Sequence, residues 1–348
     1  MKGLILGLIL LVSPLWSLPA GDLTILTYNV ENLFDDVHDG SEFPEFDPAR
    51  GRWSSDLFHM RVETIAEVIR KAAPGGPDVL LLQEVENENA LRVLLRTGLS
   101  DLGYTFFVVV PKKKLPANVA IASRLPISHV RSHGVHAWRK NPVRDIIEAD
   151  IETKDGVLHL FDDHWKSKAG GVKATERSRL ESAGIVAQRV REILAEDPST
   201  DIIVAGDMNE SYDELERVHG SYQTALVPAS RTTPPSYRTS SLFLADEKTL
   251  PGIDASGRVI LYEPWFEVAS QNRGSYFYQG SWETIDHILL SAGLFDSHGL
   301  RYKKGSFRVL RLPFLLRPNG TLRSWTHLKK ERGYSDHLPL LVTLESGN

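Results

Sequence analysis

The segment IIVAGDMNE, residues 202–210, joins an apolar run to a polar end. Ile202 to Ala205 predict a buried strand, and Asp207 and Asn209 follow directly after it. The preceding segment, 175–195, is rich in good helix formers and has apolar side chains at helical spacing. A helix, a strand and a polar strand end in this order indicate an α/β protein whose site assembles where strands end.

Three other apolar runs lead in the same way to acidic, amide or imidazole groups. These groups lie at the polar ends of the runs and are Asn29 within 23–30, Glu84 in DVLLLQEV, and Asp336 with His337 at the start of SDHLPLLVTL. A carboxylate such as Glu84 beside a buried run must reach water, form an ion pair or bind a cation. Oxygen ligands in a chain without cysteine predict a hard ion, Mg²⁺ or Mn²⁺, with Ca²⁺ as a further alternative. Each group alone is more simply an ordinary strand end, and only their co-occurrence favours a site.

Helices and strands continue to alternate along the rest of the chain. Ser54 or Ser55 caps a predicted helix that stops at Pro74, and a second helix is predicted over 87–96. Further strands are predicted over 105–110, 119–122, 146–151, 157–164, 284–291 and 335–344. Residues 228–283 are rich in Ser, Thr, Pro, Gly and aromatics, which predicts a long surface region.

The first twenty residues, MKGLILGLILLVSPLWSLPA, have one charge, a short apolar run and small residues towards Ala20. This order predicts a secretory signal peptide over 1–20, with an uncleaved anchor as the alternative. Residues 21–348 show no repeat and no break in composition, so we expect a single catalytic domain, a monomer with no stable protein partner and no transmembrane segment in the mature chain. Its predicted location is secreted or periplasmic.

Composition describes a globular protein that is not a basic nucleic-acid binder. The chain has 348 residues, 42% hydrophobic and 24% charged, and no cysteine for a disulfide or a lipid anchor. Loss of 1–20 removes Lys2, its only charged residue, and changes the net charge from −5 to −6. Tight DNA binders usually present a positive face. The charge therefore favours transient processing of a nucleic acid, or a small substrate.

Taken together, the motifs resemble the endonuclease/exonuclease/phosphatase superfamily, also called DNase I-like. The resemblance is carried, in family order, by TYNVENLF (27–34), LLQEVEN (81–87), HWKSKAGG (164–171), VAGDMNE (204–210), TIDHILLS (284–291) and YSDHLPL (334–340). It spans almost the whole mature chain. It implies a four-layered α/β/β/α sandwich with two mixed β-sheets, and a divalent-metal-dependent phosphoric ester hydrolase.

The resemblance also implies roles for individual residues. Glu84 matches the principal metal ligand, with Asp336 and Asn29 lining the same site. Asp207 and Asn209 match the pair that orients or deprotonates the attacking water. His337 matches the motif histidine that stabilises the phosphoryl group, and Asp286 matches the carboxylate that fixes it.

His164 matches a second catalytic histidine of the nuclease-like branch. A glutamate usually supports that histidine, whereas the corresponding region here, FFVVVPKKKLPAN, contains no acid. The candidate substrate-binding residues are Lys166, Lys168, Arg144 and Asn118, with solvated surface charge as the alternative for the basic ones. Rings in the 228–283 region either pack under a loop or stack on bases.

Within the superfamily, HWKSKAGG and NVENLF look most like exported bacterial nucleases. We therefore predict a nonspecific endonuclease that hydrolyses DNA, with RNA as an alternative substrate, so that nucleic acid is the expected partner. The runner-up is a phosphatase or phosphodiesterase acting on a small or lipid phosphoester, as in sphingomyelinases. A noncatalytic binding module on the same fold is the third hypothesis.

Overall fold

Strands of two to eleven residues, many of them rich in apolar side chains, dominate the computed structural model of this chain. The structure describes residues 21–112, 115–136, 142–246, 248–249, 251–325 and 333–347. The predicted signal peptide, 1–20, lies outside the described residues.

The first nine strands are β1 Leu23–Leu33, β2 Val79–Val85, β3 Phe106–Val109, β4 Asn118–Ser123, β5 Ile127–His133, β6 Ile146–Thr153, β7 Gly156–His164, β8 Ile202–Asp207 and β9 Leu226–Pro228. The others are β10 Leu242–Ala245, β11 Gly252–Ile253, β12 Val259–Tyr262, β13 Tyr276–Tyr278, β14 Ser281–Glu283, β15 Asp286–Leu290, β16 Leu300–Tyr302, β17 Arg308–Val309 and β18 Leu340–Ser346.

The helices are α1 Ser55–Ala72, α2 Glu88–Val93, α3 Val172–Glu196 and α4 Glu214–Arg217. Ser54 caps α1 by accepting a hydrogen bond from the Leu57 amide at 3.3 Å, and Asn87 caps α2 through the Ala90 amide at 2.9 Å. A π-helical turn, Leu94–Gly98, follows α2. Short 3₁₀ turns occupy Pro48–Arg50, Pro235–Thr239, Pro264–Glu267, Ser270–Asn272, Gly293–Phe295 and Pro313–Leu315.

Two large mixed sheets are stacked between these helices. The first has the order β16-β18-β1-β2-β4-β3, with β17 on β18, and the second has the order β5-β6-β7-β8-β15-β12-β10-β9, with β11 on β12. In each sheet a parallel pair lies at the centre, β1 with β2 and β7 with β8, and both are flanked by antiparallel neighbours.

Three apolar layers hold the sandwich together. Ile25 and Leu81 of the first sheet meet Ala205 and Ile288 of the second in a shared core. Outside it, α1 packs on the first sheet and α3 on the second, through separate clusters of buried side chains. This is the predicted four-layered α/β/β/α sandwich, and the fold prediction is confirmed.

The prediction of a long surface region over 228–283 is wrong in part. Its segments 242–245 and 259–262 are the buried strands β10 and β12 of the second sheet. Each is only four residues long and lies among Ser, Pro and Gly, so its local composition resembles that of a loop. Strand β5, absent from the predicted set, is an edge strand with mostly exposed side chains.

Within the described residues, no helix has the length and apolar character needed to cross a bilayer.

Candidate active site

The candidate site forms where the central strands of both sheets end side by side. Register pairs Asp286 with Asp207 between β15 and β8, and His164 with Asp207 between β7 and β8. Asn29, near the end of β1, reaches across from the other sheet and donates from Nδ2 to Asp207 Oδ2 at 3.0 Å. The Asn29 amide therefore joins the two sheets at their polar edge.

His337 is held by a carboxylate and a hydroxyl. Its Nδ1 lies 2.9 Å from Asp286 Oδ2, and Ser275 donates its hydroxyl to the same oxygen in a short hydrogen bond. Burial alone would lower the pKa of His337, but the nearby carboxylates of Asp286, Asp336 and Asp207 outweigh it and raise that pKa well above the usual range. The imidazole is therefore charged at neutral pH and presents Nε2 as a donor.

Asp207 is buried in the middle of the site. One oxygen accepts from the backbone amide of Asn209 at 2.9 Å, and the other faces His337 Nε2 at 3.8 Å and His164 Nε2 at 3.4 Å. Burial raises the pKa of this carboxyl, with Asp286 adding to the effect and His337 opposing it. A carboxylate whose pKa is raised is a better proton acceptor, as a general base requires.

The carboxylates of Glu84, Asp336 and Glu31 lie close enough for their charges to interact. Glu84 Oε1 lies 3.5 Å from Asn29 Nδ2, and Asp336 Oδ1 lies 3.8 Å from His337 Nε2. Burial, with Asp336 next, raises the pKa of Glu31 strongly, and Glu84 adds to the effect. Arg61 acts on Glu31 and Arg144 on Glu84, which offsets part of this negative charge, and a hard cation bound by these oxygens would offset more of it.

At three corners of this edge, a residue other than glycine has a positive φ and so adopts the left-handed backbone conformation. Glu84 has φ 66°, Asn209 has φ 52° and Glu31 has φ 51°. Asparagine tolerates this region, but glutamate seldom adopts it. The conformation turns these side chains out of the strand ends and towards the shared site.

His164 lies within the site but lacks a supporting group. Its Nε2 is 3.9 Å from Glu84 Oε1, while its buried Nδ1 has no hydrogen-bond partner among the described residues. Burial, with Arg144 and His337 next, lowers the pKa of His164 well below the usual range. It is therefore neutral here, in contrast to His337.

The four predicted substrate-binding residues separate into two groups. Arg144 donates from Nε to the Ala117 carbonyl at 3.0 Å and is close enough to Glu84 and Asp207 for their charges to act on it. Lys166 donates to Ser167 and lies close enough to His164 to lower the pKa of that imidazole. These two cations border the polar edge that carries Glu84, Asp207 and His337, which we call the catalytic edge.

The other two are engaged with the protein. Lys168 donates to Glu214 Oε2 at 2.9 Å and lies 3.4 Å from Glu283 Oε2. Asn118 is buried, donates to the Glu86 carbonyl at 2.7 Å and accepts from the Lys112 amide. Both therefore hold the fold around the site.

Two residues outside the predicted site set lie beside Asp336 and its neighbours. Glu31 accepts from the Trp325 amide at 2.7 Å and adds a further carboxylate beside Asp336. Arg61, fully buried on α1, donates to the carbonyls of Glu31 and Asn32 and lies over the Trp325 ring. The acidic NVEN motif signals Glu31, but nothing in the sequence pairs Arg61 with it.

Aromatic side chains border His337. The Tyr276 ring lies 4.7 Å from the imidazole, and Tyr276 stacks on the half-exposed Tyr278 at 6.1 Å. By contrast, Phe277 and Trp282 contact each other and the first sheet's outer core, and Tyr237 is buried in the shared core. Stacking on a base is therefore sterically open to Tyr278, and packing accounts for the other rings.

Comparison with known families agrees with this geometry. A model described as the Endonuclease/Exonuclease/phosphatase family matches residues 24–223 and 247–346. The chain belongs to this family. This match confirms the predicted superfamily. Members of the endonuclease/exonuclease/phosphatase family are metal-dependent phosphoester hydrolases. No curated protein sequence matches the chain.

Solved structures share the fold at low sequence identity. A humanized D. rerio TDP2 carrying 14 mutations is 15% identical, covers 93% of this chain and 99% of its own, and gives a TM-score of 0.55. Truncated TDP2 from Caenorhabditis elegans is 14% identical over 93% and 97%, at 0.53. Sphingomyelinase C from Streptomyces griseocarneus is 17% identical over 93% and 99%, at 0.52. At these identities the likeness concerns the fold alone.

Proposed function

We propose that this protein is a metal-dependent phosphodiesterase that acts as a nonspecific endonuclease. The observation that carries the proposal is the continuous arrangement of Glu84, Asn29, Asp207, His337 and Asp286 across the edge shared by both sheets. It combines a cation-binding carboxylate, a buried proton acceptor and a charged proton donor within a few ångströms, which together meet the needs of phosphoester hydrolysis.

In the proposed reaction, Asp207 accepts a proton from the attacking water, which Asn209 helps to orient. As the water oxygen bonds to phosphorus, the bond from phosphorus to the leaving oxygen breaks, and that oxygen takes a proton from solvent. His337 donates a hydrogen bond from Nε2 to a phosphoryl oxygen, and Asp286 orients the imidazolium through Nδ1. Because the pKa of His337 is raised, the ring stays charged and stabilises negative charge that develops on phosphorus oxygens.

Glu84, Asp336 and Asn29 would hold the divalent ion, with Glu31 adding negative charge. The predicted ion is Mg²⁺ or Mn²⁺, with Ca²⁺ as the alternative, and when bound it supplies a Lewis acid for the phosphoryl group. Arg144 and Lys166 would contact substrate phosphates from the opposite border, whereas Lys168 and Asn118 are engaged with other protein groups and are not proposed to touch the substrate.

Nucleic acid is the proposed substrate because the exposed ring of Tyr278 stacks on Tyr276, which in turn lies against His337, and an unstacked base could lie on the Tyr278 ring. A D. rerio TDP2 of the same fold, 15% identical with a TM-score of 0.52, has been crystallised with a single-strand DNA product. A small or lipid phosphodiester is the second candidate, supported by the acidic chain and by the ion pairs that occupy Lys168.

We further propose that the mature protein is a secreted or periplasmic monomer consisting of one catalytic domain from residue 21. Mass spectrometry of the exported protein should find an N-terminus near residue 21. An intact N-terminus in the exported fraction would contradict cleavage.

A substrate panel tests the activity. Mature protein with Mg²⁺ or Mn²⁺ should degrade plasmid and single-stranded DNA, and chelation should stop the reaction. His337→Ala, purified in parallel, controls for contaminating nucleases. Hydrolysis of sphingomyelin or a nitrophenyl phosphodiester without cleavage of DNA or RNA would replace the nuclease by the second candidate, and no hydrolysis of any phosphodiester would contradict the enzyme assignment.

A further inference from the structure

A second group of carboxylates lies on the segment between β1 and α1. One oxygen each of Asp39, Glu42 and Glu86 lies within 4.8 Å of the other two. Asp39 and Glu42 belong to this connecting segment, whereas Glu86 follows directly after β2. None of the three takes part in the catalytic arrangement described above.

Glu86 is the most constrained member of the group. It is only 3% exposed, and its Oε2 accepts from the Asp35 amide at 2.8 Å. Its other oxygen, Oε1, is buried and has no hydrogen-bond partner among the described residues. An unpaired buried carboxylate oxygen is costly, and native structures seldom leave one without a ligand or a donor.

Glu42 shares this burial. Its side chain is 1% exposed, and its two oxygens accept from the backbone amides of Asp39 and Gly40. These bonds orient the carboxylate but bring no positive charge. The connecting segment is thus folded around Glu42 so that it faces Glu86.

Positive side chains do not balance the group. In the part of the chain that the structure describes, no lysine or arginine forms an ion pair with Asp39, Glu42 or Glu86. The nearest basic group is the half-exposed His38, whose Nδ1 lies 3.6 Å from Glu42 Oε2 and 3.0 Å from Asp47 Oδ1. Buried charges of one sign are stable when a counter-charge or a metal ion accompanies them.

We propose that Asp39, Glu42 and Glu86 bind a divalent cation of the calcium class, at a site separate from the catalytic centre. The ligands are all carboxylate oxygens, which suit a hard cation, and they come from an irregular connecting segment and a strand end, which suits the irregular geometry that Ca²⁺ accepts. The buried Glu86 Oε1 supplies the oxygen that the protein leaves without a partner.

The ion would link the connecting segment, through Asp39 and Glu42, to Glu86 at the end of β2. That segment also carries Phe46, which stacks on Phe34 at 4.6 Å and packs edge-on against Trp53. Since Glu86 is two residues beyond Glu84, the cation would stabilise the backbone from which the catalytic carboxylate projects without touching substrate.

Isothermal titration of metal-free protein with CaCl₂ tests this site. The background is Glu84→Gln/Asp336→Asn, which removes two carboxylates of the catalytic edge. We expect the background to bind one Ca²⁺, Glu42→Gln and Asp39→Asn each to weaken that binding at least tenfold, and Glu45→Gln to leave it unchanged. Glu45 is a matched control because it lies on the same segment and outside the cluster.

Thermal unfolding of the same variants provides the second measurement. Ca²⁺ should raise the Tm of the background and of Glu45→Gln, and the increase should be lost with Asp39→Asn. Asp39 is exposed, so that this variant tests the site even if Glu42→Gln fails to fold. Absence of Ca²⁺ binding in the background would mean that Glu86 is held protonated and would overturn the proposal. Tight Zn²⁺ binding that disappears with His38→Ala, without Ca²⁺ binding, would overturn it in favour of the neighbouring His38–Glu42–Asp47 group.

Discussion

The catalytic edge and the outer face of the second sheet both bury carboxylates, but they neutralise them differently. On the outer face, Glu148 of β6 is fully buried and accepts from Arg131 at 2.8 Å, His133 at 2.6 Å and Arg189 at 2.9 Å. At the catalytic edge, Asp207 is equally buried, but its side-chain neighbours are an amide, two histidines and further acids.

The pKa values of these two groups move in opposite directions. Burial would raise the pKa of Glu148, but the hydrogen bonds from His133 and Arg189 outweigh it and lower that pKa to about 2. For Asp207, burial prevails and the pKa rises. Burial therefore does not set the role of a carboxylate. A buried carboxylate that is paired with several cations, such as Glu148, has a structural role. One with fewer cations around it, such as Asp207, can still exchange protons or bind a ligand.

The largest expected effect is on turnover at the catalytic edge. Asp207→Asn and His337→Ala should each lower kcat/KM by about 10²–10⁴-fold, because each removes a group that moves a proton or stabilises charge. Steady-state rates on a nitrophenyl phosphodiester, with circular dichroism to verify folding, measure this. A folded variant with near-normal kcat/KM would refute its assigned role.

The second prediction concerns stability on the outer face. Glu148→Gln should lower the free energy of unfolding by about 3 kcal/mol at pH 7, because it removes the charge of a buried carboxylate that pairs with three partly exposed cations. Urea unfolding measures the difference, with the half-exposed Glu192→Gln as control, since that variant removes another partner of Arg189 and should cost about 0.5 kcal/mol or less. Activity per folded molecule should not change.

This contribution also has a defined pH dependence. The pKa of Glu148 is depressed from its ordinary 4.5 to about 2, so the stabilisation is complete above 4.5 and is lost as the pH falls through 2. The difference between wild type and Glu148→Gln should therefore shrink towards low pH. A difference that is constant between pH 7 and pH 3 would contradict the ion-pair explanation.

The third prediction concerns metal binding at the catalytic edge. At a free Mg²⁺ concentration one hundred times its Kd, the ion should stabilise the protein by about 2.7 kcal/mol, and chelation should reverse this. Measuring Tm in a Glu42→Gln background isolates the catalytic edge from the proposed second site. There, Glu84→Gln should abolish most of the response, and an undiminished Mg²⁺ shift would remove Glu84 from the ligand set.

The smallest expected effect concerns substrate preference. Tyr278→Ala should lower kcat/KM on single-stranded DNA by about fivefold, the equivalent of about 1 kcal/mol of base stacking, and leave a nitrophenyl phosphodiester unaffected. Phe295, a 40% exposed ring elsewhere on the surface, provides the control as Phe295→Ala. Equal losses on both substrates would indicate general damage to His337 packing instead of base contact.

Much of the fold was predictable because its signals are local. Strands β1, β2 and β8 are rich in apolar residues, and α1 and α3 have helical spacing with a recognisable cap or long periodicity. Strands β10 and β12 were not predictable, since four buried residues between turn-forming segments owe their strand conformation to neighbours far away in sequence.

The candidate site was likewise predictable only in part. The four strand ends were visible in the sequence, and the structure brings Asn29, Asp207 and His337 together as the motifs imply. Their supports were not visible, because they depend on pairs distant in sequence: Lys168 meets Glu283, and Arg61 meets the Glu31 carbonyl. Sequence motifs identify the reactive groups, but they do not show which lysines and arginines are already engaged in contacts within the protein.

The left-handed corners at Glu84 and Glu31 place two demands on the same residues. A non-glycine residue in this conformation costs on the order of 1 kcal/mol or more, and glycine would relieve it. The substitution that most relaxes the backbone is therefore also the one that deletes a carboxylate from the proposed metal site. Selection for thermal stability alone would therefore favour loss of these side chains. At Glu84 and Glu31, backbone stability and the proposed metal binding thus require different residues.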